Sequence, residues 1–526
     1  MNTTQNFRAG MIISAVFFVG MLAIGMMVYQ FICREGLWYD ELCLAHNFIA
    51  RDFYGLFRPL DIVQIAPIMF LLIEKLMLNL SSFNDSLADY SLRIYPLCCG
   101  MGVVILYYPL IRNITRSRII ALFAYVLLVL NPVFIYYTSE VKQYICELFY
   151  AVLLLYFWSK PRSKWHLKQC LLIIVLATLE IWNSHTVCFI ILPMALWDGW
   201  ELFKANKYNI INLVFSKQLR SYIFQYGVIL LIFLEYYLIF LYKHPMQSYM
   251  INFWANLYDA FITRSNVTTL INRNILFYYG KIPMVFFILG LLSLFFLKNK
   301  FPALFACCII GVHSFFSYFH IYPVLERFIF YWMVIIPLLL SCLLYRILYI
   351  NKSLIYINAL ICTFIIAIIE MVRISLPVYI YTDNDYPRSA LKFISENYVL
   401  GETILHKPYL YPNAYIEKYY LLNIDKNDMV SMKYEKDVWS SLREQRLKKN
   451  YMDRLWLLYP SKMSNKIIND IWWFIRENDD QFLLNCGIFN VEMVCLLEKK
   501  YIEPQVSPAD ISIQDTNGLT KFSDID

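Results

Sequence analysis

The sequence predicts an all-α polytopic membrane protein that ends in a small α/β domain. Three observations lead there. The 526 residues are 60% hydrophobic and only 16% charged, with a mean hydropathy of +0.51, more apolar surface than a soluble core hides. Long apolar runs alternate with short basic or aromatic loops. Near Tyr379 the composition changes, and Asp383, Asp385 and Arg388 open a charged, mixed sequence.

The spans must be helices, because lipid cannot satisfy open backbone groups. The first, 9–33, is too long for a cleaved signal peptide and lacks an Ala-x-Ala cleavage site, so it reads as an anchor. Further spans are expected at 91–111, 119–137, 143–158, 169–187, 189–203, 222–242, 275–297, 301–318, 328–345 and 353–374, about eleven in all. Segment 66–80 is apolar but short and holds Glu74 and Lys75, so it reads as a helix lying at the membrane surface. With the amino terminus cytoplasmic, the inner loops then collect Arg112/Arg116/Arg118, Lys160/Arg162/Lys164/Lys168, Lys204/Lys207/Lys217/Arg220, Lys298/Lys300 and Arg346/Lys352. Every basic cluster falls on one side.

Outer loops follow at 34–90, 136–142, 243–274 and 319–327, with the tail also outside. The chain divides into a membrane domain, 1–379, and an extracytoplasmic domain, 380–526. In the tail, 402–407 and 454–459 read as strands, 386–398 and 465–478 as helices.

The net charge of +7 records those inner loops, and nucleic-acid binding is not expected. The 42 tyrosines suit membrane interfaces or a polar cavity, where a ring with a wet end fits. Most of the 13 cysteines lie in apolar segments and behave as small hydrophobes; no spacing suggests zinc. Cys486 and Cys495 could pair if the tail is outside. With 15 glycines and no Gly-rich phosphate loop, a nucleotide-driven pump is not expected.

Asp40 and Glu41 follow directly on the first span, in Leu37-Trp38-Tyr39-Asp40-Glu41-Leu42. A carboxylate beside a desolvated cavity can take a proton from an acceptor hydroxyl; the alternative is a pair of ordinary acids at a helix N-terminus. In the second outer loop, a helix beginning near Glu140 would place Glu140, Tyr144 and Glu147 on one face. Lys142 would point elsewhere, to a lipid phosphate or simply to the interface. Arg327, at the N-terminus of the helix that follows, offers a planar fork for a phosphate. Tyr137, Tyr144 and His185, at the mouths of their spans, complete the candidate substrate-binding set, although a lone histidine can equally be structural. The residues leave open whether a divalent metal is bound.

Four motifs in order resemble the GT-C glycosyltransferases, in particular bacterial members related to protein O-mannosyltransferases and to the aminoarabinose transferase of lipid A. They are Trp38-Tyr39-Asp40-Glu41; Gln64-Ile65-Ala66-Pro67 with Leu92-Arg93-Ile94-Tyr95-Pro96; Tyr137-Thr138-Ser139-Glu140-Val141-Lys142-Gln143-Tyr144; and Glu326-Arg327-Phe328. The third is similar to the family's Tyr-x-x-Glu-x-Arg-x-Tyr pattern, with Lys142 where the pattern has Arg. The resemblance implies a GT-C fold, a polyprenyl-phosphate sugar donor and a lipid, glycan or protein acceptor on the outer face of a bacterial inner membrane. It implies Asp40 as the catalytic carboxylate, Glu140 as an orienting group, and Arg327 with Lys142 as holders of the lipid phosphate. Rival readings are a polysaccharide polymerase or ligase, and a transporter of lipid-linked glycans. Transporters usually carry inverted repeats and broken helices, and neither is visible.

Overall fold

The structure is a computed structural model. It describes residues 3–34, 36–81, 87–160, 166–242, 244–245, 247–253, 284–324, 327–348, 355–375, 387–400, 402–406, 413–421, 424–425, 428–431, 454–460, 482–489, 492–499 and 512–515. The domain boundary expected near residue 380, the helix expected over 465–478 and Glu326 lie outside them.

The bundle is built from α1 (Thr3–Cys33), α2 (Tyr39–Ala50), α3 (Ile68–Leu80), α4 (Ala88–Thr115), α5 (Arg118–Val129), α6 (Pro132–Tyr137), α7 (Tyr144–Ser159), α8 (Leu167–Asn183) and α9 (Cys188–Ala205). It continues with α10 (Ile210–Val214), α11 (Lys217–Tyr236), α12 (Gln247–Phe253), α13 (Met284–Leu294), α14 (Phe301–Tyr318), α15 (Ile336–Leu348) and α16 (Ile355–Ser375). Five stretches among the described residues are long and apolar enough to cross a membrane: Phe7–Cys33, Ala88–Thr115, Lys217–Leu241, Phe301–Tyr318 and Phe330–Leu348. Arg118–Val129, Tyr144–Ser159 and Ile355–Glu370 are shorter apolar helices. These helices make the chain an integral membrane protein.

α4 is the central post, packing against α1, α3, α5 and α7. Gly100 lets it approach the loop at 138–143, since a Cβ there would lie 2.5 Å from Thr138 Cγ2 and 2.6 Å from Met27 Cε. The span expected over 119–137 is interrupted. Asn131 caps α6 by accepting from the amides of Val133 and Phe134, and Pro132 bars its predecessor from the helical region. α3 has 13 residues, about 20 Å of helix, too short for a bilayer core of about 30 Å. Its Lys75 is buried and donates to the carbonyls of Phe48 (2.8 Å) and Arg51 (2.5 Å). It thereby satisfies carbonyls that the end of α2 leaves without intrahelical partners.

Among the described residues, the carboxy-terminal part of the chain carries α17 (Pro387–Asn397), α18 (Ala414–Tyr419) and six strands: β1 (Thr403–His406), β2 (Met429–Ser431), β3 (Arg454–Pro460), β4 (Phe482–Phe489), β5 (Glu492–Lys499) and β6 (Ser512–Asp515). They form one mixed sheet in the order β2-β1-β3-β5-β4-β6. β1 runs parallel to β2 and β3, β5 antiparallel to β3 and β4, and β6 parallel to β4. The buried Ile404, Leu405 and Leu455–Leu458 form its core, with Phe393 of α17 edge-on to Trp456. Cys486 and Cys495 are directly opposed in the β4–β5 register.

Candidate active site

Trp38 is the N-cap of α2, and Asp40 and Glu41 occupy its first turn, where the helix dipole favours carboxylates. Their surroundings differ. Glu41 is fully buried. Its Oε2 accepts from the backbone N–H of Trp38 (3.0 Å), as the third residue of a capping box does. Its Oε1 accepts from the backbone N–H of Val141 (2.7 Å) and lies 3.3 Å from the Arg34 guanidinium, and Arg93 stands 4.0 Å from Oε2. Arg34 also donates to the Ser139 carbonyl (2.7 Å) and the Tyr136 hydroxyl (3.2 Å). Glu41 thus holds the end of α1, the start of α2 and the loop at 138–143 together.

Asp40 faces the other way, with its side chain 23% exposed. Lys142 Nζ lies 3.1 Å from Oδ2, and Arg327 donates to the same oxygen at 3.3 Å. Gln64 donates to Oδ1 at 3.2 Å and accepts from Lys142 at 2.8 Å. Burial alone would raise the Asp40 carboxyl. Lys142 and Arg327, with the hydrogen bonds from Lys142 and Gln64, hold it below its ordinary 3.8.

Three features depart from the sequence expectation. α7 begins at Tyr144, not near Glu140, because residues 138–143 form successive turns. Glu140 therefore shares no helical face with Tyr144 and Glu147. Those turns bring Lys142 to Asp40, where the sequence reading turned it to a lipid phosphate or the interface. Arg327 does not open an α-helix. It lies in a turn before a 3-10 segment, Phe330–Val334, and α15 starts only at Ile336.

Glu140 is buried, and its Oε1 accepts from the Trp38 indole at 3.2 Å. Burial pushes its carboxyl up to about 8, with the Glu41 charge adding to the rise and Arg34 and Lys142 opposing it. Tyr137 and Tyr144 are buried ring against ring, 5.3 Å apart, with Phe330 and Phe328 beyond them. They form the floor beneath the second loop. His185 is about 6.3 Å from the Tyr236 ring. Together with Gln64, Tyr236 and Phe240 it lines a cavity of about 180 Å³ next to the Asp40 cluster. A larger cavity of about 460 Å³, lined by Arg116, Trp158, Lys160 and Asp198, shares no lining residue with it.

Gln64, Arg34, Arg93 and Trp38 contact the two carboxylates; the sequence reading placed Gln64, Arg93 and Trp38 in motifs but gave none of the four a place in the site. Gln64 had one local signal. Ile62 (φ 55°) and Val63 (φ 53°) just before it adopt left-handed backbone conformations, which β-branched residues avoid at about 1–3 kcal/mol each. That signal is visible only in coordinates.

Lys142 and Arg327 already neutralise Asp40, and no group of three His, Cys, Asp or Glu able to hold a metal occurs among the described residues.

No protein-family model matches the chain, and no curated protein matches it. The chain is similar to two solved structures of ArnT from Cupriavidus metallidurans. The first, bound to undecaprenyl phosphate, has a TM-score of 0.49 at 10% identity over 93% of this chain and 97% of that one. The second, in the apo state, has a TM-score of 0.48 at 10% identity over 94% and 98%. At this level neither likeness assigns a role to any residue.

Proposed function

We propose that the protein is a GT-C type glycosyltransferase that moves a sugar from a polyprenyl-phosphate donor to an acceptor hydroxyl on the outer membrane face. One observation carries this reading. Two cations from distant parts of the chain, Lys142 and Arg327, converge on one oxygen of a single half-open carboxylate, Asp40, beside a cavity among apolar helices.

Paired with two cations, Asp40 is a weak base. An incoming lipid phosphate competes for Lys142 and Arg327. Once it draws them off, the affinity of Asp40 for a proton rises in the presence of the acceptor. In the reaction the acceptor O–H proton passes to Asp40, and the acceptor oxygen bonds to the anomeric carbon. The anomeric C–O bond to phosphate breaks, leaving its electron pair on a phosphate oxygen that faces Lys142 and Arg327. Gln64, bonded to both Asp40 and Lys142, keeps base and cation in register. Glu41 takes no part in proton transfer here and serves as a brace.

The test is transfer from polyprenyl-phosphate sugars by the purified protein in lipid, comparing wild type with Asp40→Asn. Proton transfer of this kind is worth roughly 10²–10⁴ in rate, and a loss of that size is expected. Equal activity in both proteins would remove Asp40 from the chemistry. A wild type inactive with every such donor would favour the transporter or polymerase readings.

A further inference from the structure

We infer that the carboxy-terminal domain positions the Asp40 helix, and that Tyr420 and Asn413 are its positioning residues. The proposal rests on the reading of Asp40 as the base. The domain grips the chain on both sides of Asp40. The Leu37 N–H donates to the Tyr420 hydroxyl at 2.8 Å. Asn413 donates to the Leu42 carbonyl at 3.0 Å, and the Ala414 N–H donates to His46 Nδ1 at 2.9 Å.

The grip is anchored on α4. Asp89, buried in the first turn of that helix, accepts from Tyr415 (2.7 Å) and Tyr420 (3.1 Å), and pairs with Arg388 at 2.7 Å. Tyr420 therefore relays between the buried carboxylate of the central post and the backbone three residues before Asp40. The approach is also steric. A Cβ on Gly36 would lie 2.7 Å from Arg388 Cβ and 3.1 Å from the Tyr420 hydroxyl, so the loop and the domain touch at a distance only glycine allows. From its other side the Gly36 carbonyl is held by Arg93. Lys142 and Arg327, by contrast, reach Asp40 from the second outer loop and the turn before α15. The domain thus grips the segment that carries the base directly, and the two cations are carried on other segments.

The experiment reads helix docking and catalysis separately. Cys43 lies on the buried face of α2, free, with its thiol pushed up to about 11 by burial. Its labelling by a maleimide, located by peptide mass spectrometry, reports detachment of the helix. The variants are Tyr420→Phe and the Tyr420→Phe/Asn413→Ala pair. Lys392→Ala, on the exposed face of α17, is the control. Loss of the two hydrogen bonds to the Asp40 segment, at Leu37 and Leu42, should raise Cys43 labelling by about tenfold, while the buried Cys99 and Cys146 stay protected. In the same variants kcat should fall with the donor KM unchanged, because the cations proposed to face the phosphate are carried on segments that Tyr420 and Asn413 do not hold.

Unchanged Cys43 labelling overturns the proposal whatever the activity does. Faster labelling with an unchanged kcat overturns it too, since the domain would then hold the helix without serving the reaction. If the pair also exposes Cys99 and Cys146, the single Tyr420→Phe variant decides. A wild type inactive with polyprenyl-phosphate sugars defeats the functional reading, yet leaves the labelling result to decide the docking claim.

Discussion

Asp40 and Glu41 are consecutive residues on one helical turn, yet they sit in opposite kinds of site. Glu41 is sealed, and both its oxygens are taken by backbone amides and arginines. Asp40 is a quarter exposed, and its partners are long cationic side chains that a ligand could displace. The difference lies not in charge or position in sequence, but in whether a carboxylate's partners are fixed backbone groups or exchangeable side-chain cations.

The contrast can be broken in four ways. The largest effect belongs to Asp40→Asn, with transfer down by roughly 10²–10⁴ and a melting transition shifted far less than that of any Glu41 variant. Next, Glu41→Ala strands the buried Arg34 and Arg93 guanidiniums. Breaking a buried pair in this way costs about 3–5 kcal/mol, to be seen as a lower denaturation midpoint in detergent. If Glu41→Ala melts like the wild type, the sealed site is not a brace.

The third prediction concerns pH. Glu140 is raised from 4.5 to about 8, so its contribution to stability is fully present below pH 4.5 and is lost as pH rises towards about 8. Asp40 has the opposite sign. Its depressed carboxyl contributes above its unfolded value of 3.8 and loses that contribution as pH falls below it. Glu140→Gln should therefore flatten the decline in stability between pH 4.5 and 8 and leave the acid limb unchanged. Thermal unfolding across that range checks it, and an unaltered slope would mean that Glu140 is ionised in the folded protein. The smallest effect is expected of Trp38→Phe, which removes the indole bond to Glu140 at about 1 kcal/mol while keeping the backbone bond to Glu41.

Much of this arrangement is legible along the chain. The apolar runs mark the helices, the Asp-Glu pair follows directly on the first of them, and 402–407 and 454–459 read as strands where β1 and β3 occur. Lys142 and Arg327 stand out as cations in aromatic loops. What the sequence hides is direction. Whether Lys142 turns towards Asp40 depends on the tight turns over 138–143, which have no periodic signature. The break at Asn131-Pro132 is written in the sequence, but a long apolar run masks it. Gln64 reaches Asp40 through two left-handed residues that no propensity favours. Contacts such as those of Arg34 with Ser139 or Tyr420 with Leu37 join residues more than a hundred positions apart, and only the packed helices decide them.

α11 does not end as a regular helix. The residues that continue it, Tyr237–Leu241, form a wide π-helical turn closed by the Tyr242 amide on the Tyr237 carbonyl at 2.7 Å. In an ordinary helix successive side chains fan out by about 100°, yet Tyr236, Ile239, Phe240, Leu241 and Tyr242 all line the cavity beside Gln64. A turn of this kind is what one extra residue in a helix looks like. The chamber wall is thus adjustable by a single codon. Insertion or deletion at this point would reshape the cavity, while Asp40, Lys142 and Arg327, carried on other segments, keep their places.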